Sequence, residues 1–194
     1  QFAERAALSE LAYLETCNRV EIIFSRTTET PARDIRPLVY ELLTGRPSAA
    51  GEAERSFKAW QGEGACEHLF LVAAGLDSAA VGEAEIVGQV RACQEFALGL
   101  GLSGPRLELM FEEALRIAAE VRGETALGEG RVSLAEIAVK HLHERLIRTP
   151  GRVALLGVSP MTERTALSLV KELPKDEVAL IIVNRTLDKA RTLA

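Results

Sequence analysis

A single thiol stands at a polar break between two apolar, strand-like segments. In Leu14-Glu15-Thr16-Cys17-Asn18-Arg19-Val20-Glu21-Ile22-Ile23-Phe24, Cys17 is flanked by a hydroxyl, an amide and a guanidinium. A fixed positive charge favours thiolate over thiol, so Arg19 is the kind of neighbour that makes a cysteine nucleophilic at neutral pH. The same cysteine also reads as a small buried hydrophobe, the commoner fate of a lone thiol in a soluble chain. Ala12, Tyr13 and Leu14 lead into the break, and Val20, Ile22 and Phe24 alternate on the way out. That pattern predicts strand, turn and strand, with the thiol in the turn.

A second place for chemistry follows Thr149-Pro150-Gly151, where the character of the chain changes. Arg152 to Gly157 reads as a short buried strand, Met161 to Glu172 as a helix, and Val178 to Val183 as a second strand, the start of a βαβ unit. A strand ending in glycine, a tight turn and a helix are what a dinucleotide pyrophosphate needs, because the helix N-terminal amides and dipole receive its charge. The turn itself, Gly157-Val158-Ser159-Pro160-Met161-Thr162, keeps only the first glycine of Gly-x-Gly-x-x-Gly. Ser159 adds a Cβ where close approach matters, and Pro160 removes a donor, although proline suits a first helical turn. After the second strand, Asn184-Arg185-Thr186 stands where an NAD site places an acidic residue. Arginine and threonine there suit a 2′-phosphate, which favours NADP; an exposed turn with Thr186 capping the next helix is the other reading.

Several elements must position these groups. The spacing of Ile35, Leu38, Val39, Leu42 and Leu43 predicts a helix from Pro31 to Leu43 with Gly45 as its stop, followed by a loop over Arg46 to Ala53. Glu67 to Ala74 reads as a short helix broken at Gly75, and Asp77-Ser78 offers capping oxygens before Gly82. Ile86, Val87, Val90, Cys93, Phe96 and Ala97 share one helical face. Pro105 opens a long amphipathic helix to about Gly123, and Ser133 caps another that runs to about Arg148.

With 194 residues, 47% hydrophobic and 26% charged, the chain can bury a sizeable core and suits two domains. No run long enough to span a membrane is visible and no secretory pattern opens the chain, so a cytoplasmic protein is expected. Cys17, Cys66 and Cys93 are odd in number and widely spaced, matching neither a disulfide framework nor a zinc site; no metal is expected. A net charge of −5 argues against bulk electrostatic binding of nucleic acid while leaving room for one local RNA contact. Arg106, Arg116, Arg122 and Arg131 either form a phosphate-facing surface or belong to a solvated helical face balanced by Glu108, Glu112, Glu113, Glu120 and Glu124.

Taken together, ordered blocks of the chain resemble glutamyl-tRNA reductase, the enzyme that opens the five-carbon route to tetrapyrroles. The blocks are Thr16 to Glu21; His68-Leu69-Phe70 with Val72 to Ser78; Val81-Gly82-Glu83 through Ile86 and Gly88-Gln89-Val90; Val121-Arg122 with Glu124-Thr125 and Val132-Ser133; and Asn184-Arg185-Thr186. The resemblance implies an α/β (α+β) architecture. A catalytic domain with an antiparallel sheet and packed helices would span 1–130, a connecting helix 131–150, and a partial Rossmann-like NADP-binding domain 151–194. It implies that Cys17 attacks the ester of glutamyl-tRNA to give a thioester, which NADPH reduces to glutamate-1-semialdehyde. His68 would move the proton, and Thr16, Asn18, Arg19, Ser78, Glu83, Glu85 and Gln89 would hold the glutamyl group. Residues 157–162 and 184–186 would contact NADPH. Glutamate-1-semialdehyde aminotransferase is an implied partner, and homodimerisation through a further C-terminal domain is implied for the longer protein of which this chain reads as a fragment.

The chain departs from the family pattern at Glu15, where a small hydroxyl residue is common, at Ala84-Glu85, which replaces a proline and a glutamine, and at the missing glycines of the cofactor turn. A carboxylate at Glu15 would tend to keep the nearby thiol protonated. Glu15 and the altered Gly157 to Thr162 turn motivate an alternative: a catalytically weak paralogue that binds tRNA or a partner enzyme and regulates the pathway. An ordinary small-molecule NADP dehydrogenase is the third reading, and it leaves the Cys17 and His68 blocks unexplained.

Overall fold

Strand alternation sets up the first unit. In the computed structural model, which describes residues 2–16, 18–26, 34–83, 85–128, 134–149, 151–172 and 179–194, β1 (Glu10–Glu15) pairs antiparallel with β2 (Val20–Ser25). Cys17, Pro31, Ala84, Arg131 and Ser133 lie outside the described residues. Glu10, Ala12 and Leu14 point inward from β1, and Ile23, opposite Ala12, packs on the same core. The parity of β2 is therefore the reverse of the one its apolar residues predict: Val20 and Phe24 are exposed, and Glu21 takes the inward position opposite Leu14. The inward face of β2 is spent on polar groups near the turn, and only Ile23 is left to the core.

The chain divides into two compact units, Gln1–Gly130 and Arg131–Ala194. In the first, a short α1 (Phe2–Arg5) precedes the hairpin, and α2 (Arg36–Thr44), α3 (Glu52–Ser56), α4 (Glu63–Ala74), α5 (Glu85–Gly99) and α6 (Pro105–Glu124) follow it. Leu107, Phe111, Ala114 and Ala118 form an inward stripe at helical spacing on α6. They meet Leu69, Val72 and Ala73 of α4, the small side chains on both helices permitting close approach. Ile86, Val90, Cys93 and Ala97 of α5 close the core against β1, whereas Phe96, expected on the same face, is 63% exposed. The second helix starts at Arg36, where Pro37 sits in its first turn, and the loop read over Arg46 to Ala53 already contains the start of α3.

One buried carboxylate joins sheet to helix. Glu10, 7% exposed, accepts the Arg106 and Leu107 amides at 3.1 and 3.0 Å, two of the otherwise unpaired donors at the start of α6. A Cβ on Gly104 would run into the same carboxylate, so the glycine leaves room for it. Three arginines of this region pair within the protein. Arg116 pairs with Glu113 and Glu120, Arg106 donates to the Arg26 carbonyl, and Arg122 donates to the carbonyls of Ala74, Gly82 and Glu83. For these three residues the phosphate-facing surface is replaced by pairing within the protein.

In the second unit, β3 (Arg152–Leu156) and β4 (Ala179–Val183) pair in parallel, with Val153 opposite Leu180 and Leu155 opposite Ile182. These side chains pack on Val139, Leu142 and Leu146 of α7 (Leu134–Arg148) and on Ala166 and Leu169 of α8 (Pro160–Glu172). The helix leading into β3 thus packs as part of this unit, and α9 (Leu187–Leu193) completes it. Leu156, Ile181 and Val183 on the alternate positions are exposed, so the strands show one covered face rather than the two that continuous apolar runs predict.

Candidate active site

The inward parity of the hairpin runs on into the turn and builds the site. Thr16 follows Leu14 on the inward side, and its backbone N–H donates to the Arg19 carbonyl at 2.9 Å. Its hydroxyl oxygen accepts the Asn18 and Arg19 amides at 3.2 Å each. Thr16 therefore ties Asn18 and Arg19 to the end of β1, as threonine does in local side-chain turns.

Across from the turn lies the loop between α4 and α5. Gly75 and Gly82 both adopt left-handed backbone, with φ +79° and +84°, and the Gly82 amide donates to the Gly75 carbonyl at 2.9 Å. Arg122 grips the carbonyls at both ends of this loop, so Ser78 and Glu83 are held from below by α6. Arg19 fastens the loop to the hairpin: Nη1 donates to Asp77 Oδ2 at 3.0 Å, and Nη2 donates to the Asp77 carbonyl. Asp77 thus serves as the arginine's partner rather than as the helix cap its sequence position suggests.

Between turn and loop is a small, open cleft lined by Thr16, Asn18, Arg19, Ser78, Ala79, Glu83, Ile86 and Gln89. Six of the seven residues expected to hold a glutamyl group are brought together there. The seventh, Glu85, begins α5 without lining the cleft, and Cys17 lies outside the described residues, between Thr16 and Asn18 of the lining.

His68 reaches the site through Glu21. Its Nε2 is 3.0 Å from Glu21 Oε1, and the same oxygen accepts Arg19 Nη1 at 2.9 Å. Trp60 stacks flat on the imidazole, ring centroids 3.7 Å apart and planes 7° apart. Carboxylate and indole together fix the ring in orientation. Sequence reasoning missed Glu21, Asp77 and Trp60 as members of this group. Glu21 was findable, because it shares a strand face with Arg19 two positions earlier; Trp60 approaches from a separate segment and left no local signal.

The other cysteines are placed apart from this chemistry. Cys93 is buried in the core, where burial pushes its thiol from 9.0 up to about 11, and Cys66 on α4 is half-buried.

In the second unit the turn after β3 is tied internally. Gly157 adopts φ +89° and donates its amide to the Val183 carbonyl at 2.7 Å, and the Val158 amide donates to Asn184 Oδ1 at 3.2 Å. Asn184 also donates through Nδ2 to the Thr186 carbonyl, so it links the ends of both strands. Ser159 and Thr162 cap α8 reciprocally: the Ser159 amide donates to Thr162 Oγ1 at 2.8 Å and the Thr162 amide to Ser159 Oγ at 3.3 Å. Arg185 and Thr186 are exposed, and Thr186 precedes α9 without a side-chain cap bond.

A family model described as the glutamyl-tRNAGlu reductase N-terminal domain matches residues 1–125. The glutamyl-tRNA reductase of Saccharolobus solfataricus is 34% identical over 187 residues, covering 96% of this chain and 42% of that protein. That of Desulfotalea psychrophila is 35% identical over 194 residues, covering 98% and 44%. The solved structure of glutamyl-tRNA reductase from Methanopyrus kandleri aligns with a TM-score of 0.57 at 32% identity, covering 100% of this chain and 44% of that one. The chain therefore spans less than half the length of the relatives it matches, and over that span it belongs to the glutamyl-tRNA reductase family.

Proposed function

We propose that the first unit takes the glutamyl group from glutamyl-tRNA onto Cys17, the acyl-capture stage of the reaction that opens five-carbon tetrapyrrole synthesis. One observation carries the reading: a single cleft, lined by the residues on either side of Cys17, gathers a guanidinium, a carboxylate, two amides and two hydroxyls from three separate elements. An esterified glutamate presents an ammonium and a side-chain carboxylate. Arg19 suits the carboxylate, and Glu83 with Gln89 suits the ammonium.

In the reaction the thiolate sulfur adds to the ester carbonyl carbon, and the bond from that carbon to the ribose oxygen breaks. The ribose oxygen leaves with a proton, and a glutamyl thioester remains. His68, turned by Glu21 through Nε2, is the group suited to deliver that proton. A dinucleotide such as NADPH would supply hydride chemistry to the thioester carbonyl. Homodimerisation and hand-over of the aldehyde to glutamate-1-semialdehyde aminotransferase are proposed with it.

Polar groups matched to a charged side chain reject a neutral one, because they are left unpaired. Glutamyl transfer to protein should therefore exceed glutaminyl transfer from the corresponding charged tRNA by at least about 100-fold. Arg19→Met should erase most of that preference. Equal transfer of both acyl groups by the native chain would contradict the assignment. A second reading, a chain that binds charged tRNA and regulates its use, draws support from the internally tied turn of the second unit; tight tRNA binding with an unreactive Cys17 would establish it instead.

A further inference from the structure

We infer that the Gly157–Thr162 turn is a self-closed helix cap that does not seat the pyrophosphate of a dinucleotide, so the residues present do not fit NADP in the manner of a Gly-x-Gly-x-x-Gly turn. The two positions where that pattern has its second and third glycines hold Ser159 and Thr162, and these two side chains bond to each other's amides. The Thr162 hydroxyl proton is also committed, donated to the Ser159 carbonyl at 3.0 Å.

Gly157 N–H goes to Val183, Val158 N–H to Asn184, Ser159 N–H to Thr162 and Thr162 N–H to Ser159. Glu163 N–H goes to the Ser159 carbonyl at 2.9 Å, and Pro160 has none to give. Among the described residues, Met161 contributes the turn amide that is left to face an outside acceptor. A pyrophosphate is held by several such amides converging at a helix start, with glycines letting its oxygens approach the backbone. Here the side chains that fill the glycine positions also occupy the amides, so seating a phosphate would require breaking both halves of the cap.

Amide NMR on the whole 194-residue chain tests this directly. The Ser159 and Thr162 amides should exchange slowly without ligand, and millimolar NADPH or inorganic pyrophosphate should leave the resonances of 157–163 unmoved. Ser159→Gly/Thr162→Gly should expose these amides and gain saturable pyrophosphate shifts, with affinity at least about tenfold above the native chain. Thr162→Val, which keeps the branched side chain and removes the acceptor, should accelerate exchange at Ser159 alone if the double variant fails to fold. Fast exchange in the native chain, saturable NADPH shifts there, or a folded double-glycine variant that gains no pyrophosphate binding would each overturn the inference. Since no residue of the first unit enters, these outcomes are independent of acyl capture by Cys17.

Discussion

Glu21 is the residue on which the candidate site turns, since one carboxylate oxygen holds both the imidazole of His68 and the guanidinium of Arg19. Glu21→Gln keeps the shape but weakens both bonds, which lose their charged acceptor. It should slow release of tRNA from glutamyl-tRNA about tenfold or more, with Glu21→Asp recovering part of the rate. An unchanged rate with Glu21→Gln would remove the carboxylate from the mechanism. Cys93 provides the contrast to Cys17. Because burial raises its thiol to about 11, it should resist alkylation at pH 8, where mass spectrometry should find label on Cys17. The sign for stability is fixed by the same shift: the unfolded thiol ionises near 9.0, below the folded value, so the contribution of this residue is intact below 9.0 and declines as pH climbs toward about 11.

At the scale of elements, capping and pairing decide which helices stand where they do. Glu10→Ala would strip the start of α6 of its acceptor and leave buried amides unpaired, at a cost of about 1–3 kcal/mol. Denaturant unfolding of the purified variant measures that loss, and a change below about 0.5 kcal/mol would show the cap to be idle. The α2–α3 contact has a pH signature. Glu52 is held down to about 2 by Arg46, with Tyr40 and the Ala49 amide adding to the effect. The interaction is fully present above the ordinary carboxylate value of 4.5 and is lost as pH falls through about 2, so Ala49 amide protection should persist at pH 4 and vanish near pH 2. Much of this scale was legible in sequence. The hairpin, the breaks at Gly45 and Gly75, the α6 start at Pro105 and the second-unit strand, helix and strand all follow from periodicity and turn residues. The parity of β2 did not follow, because apolar alternation pointed one way while Glu21 and Arg19 had a site to build. The Glu10 cap was equally hidden, since its partners lie almost a hundred residues along the chain.

At the scale of the whole molecule, the chain folds as two compact units. The first gathers its polar cleft from a strand turn, an interhelical loop and the first turns of a helix; the second offers a βαβ start whose turn is bonded to itself. The members of the cleft could be named from sequence only through family resemblance, because no spacing rule links residue 16 to residue 89. Among the described residues no helix is long and apolar enough to cross a membrane. A covalent glutamyl enzyme on Cys17 is best sought by following radiolabelled glutamate from glutamyl-tRNA onto the purified chain. The native protein should carry acid-stable, hydroxylamine-labile label and Cys17→Ala none. Absence of label on the native chain, or label that survives the substitution, would rule out a Cys17 thioester.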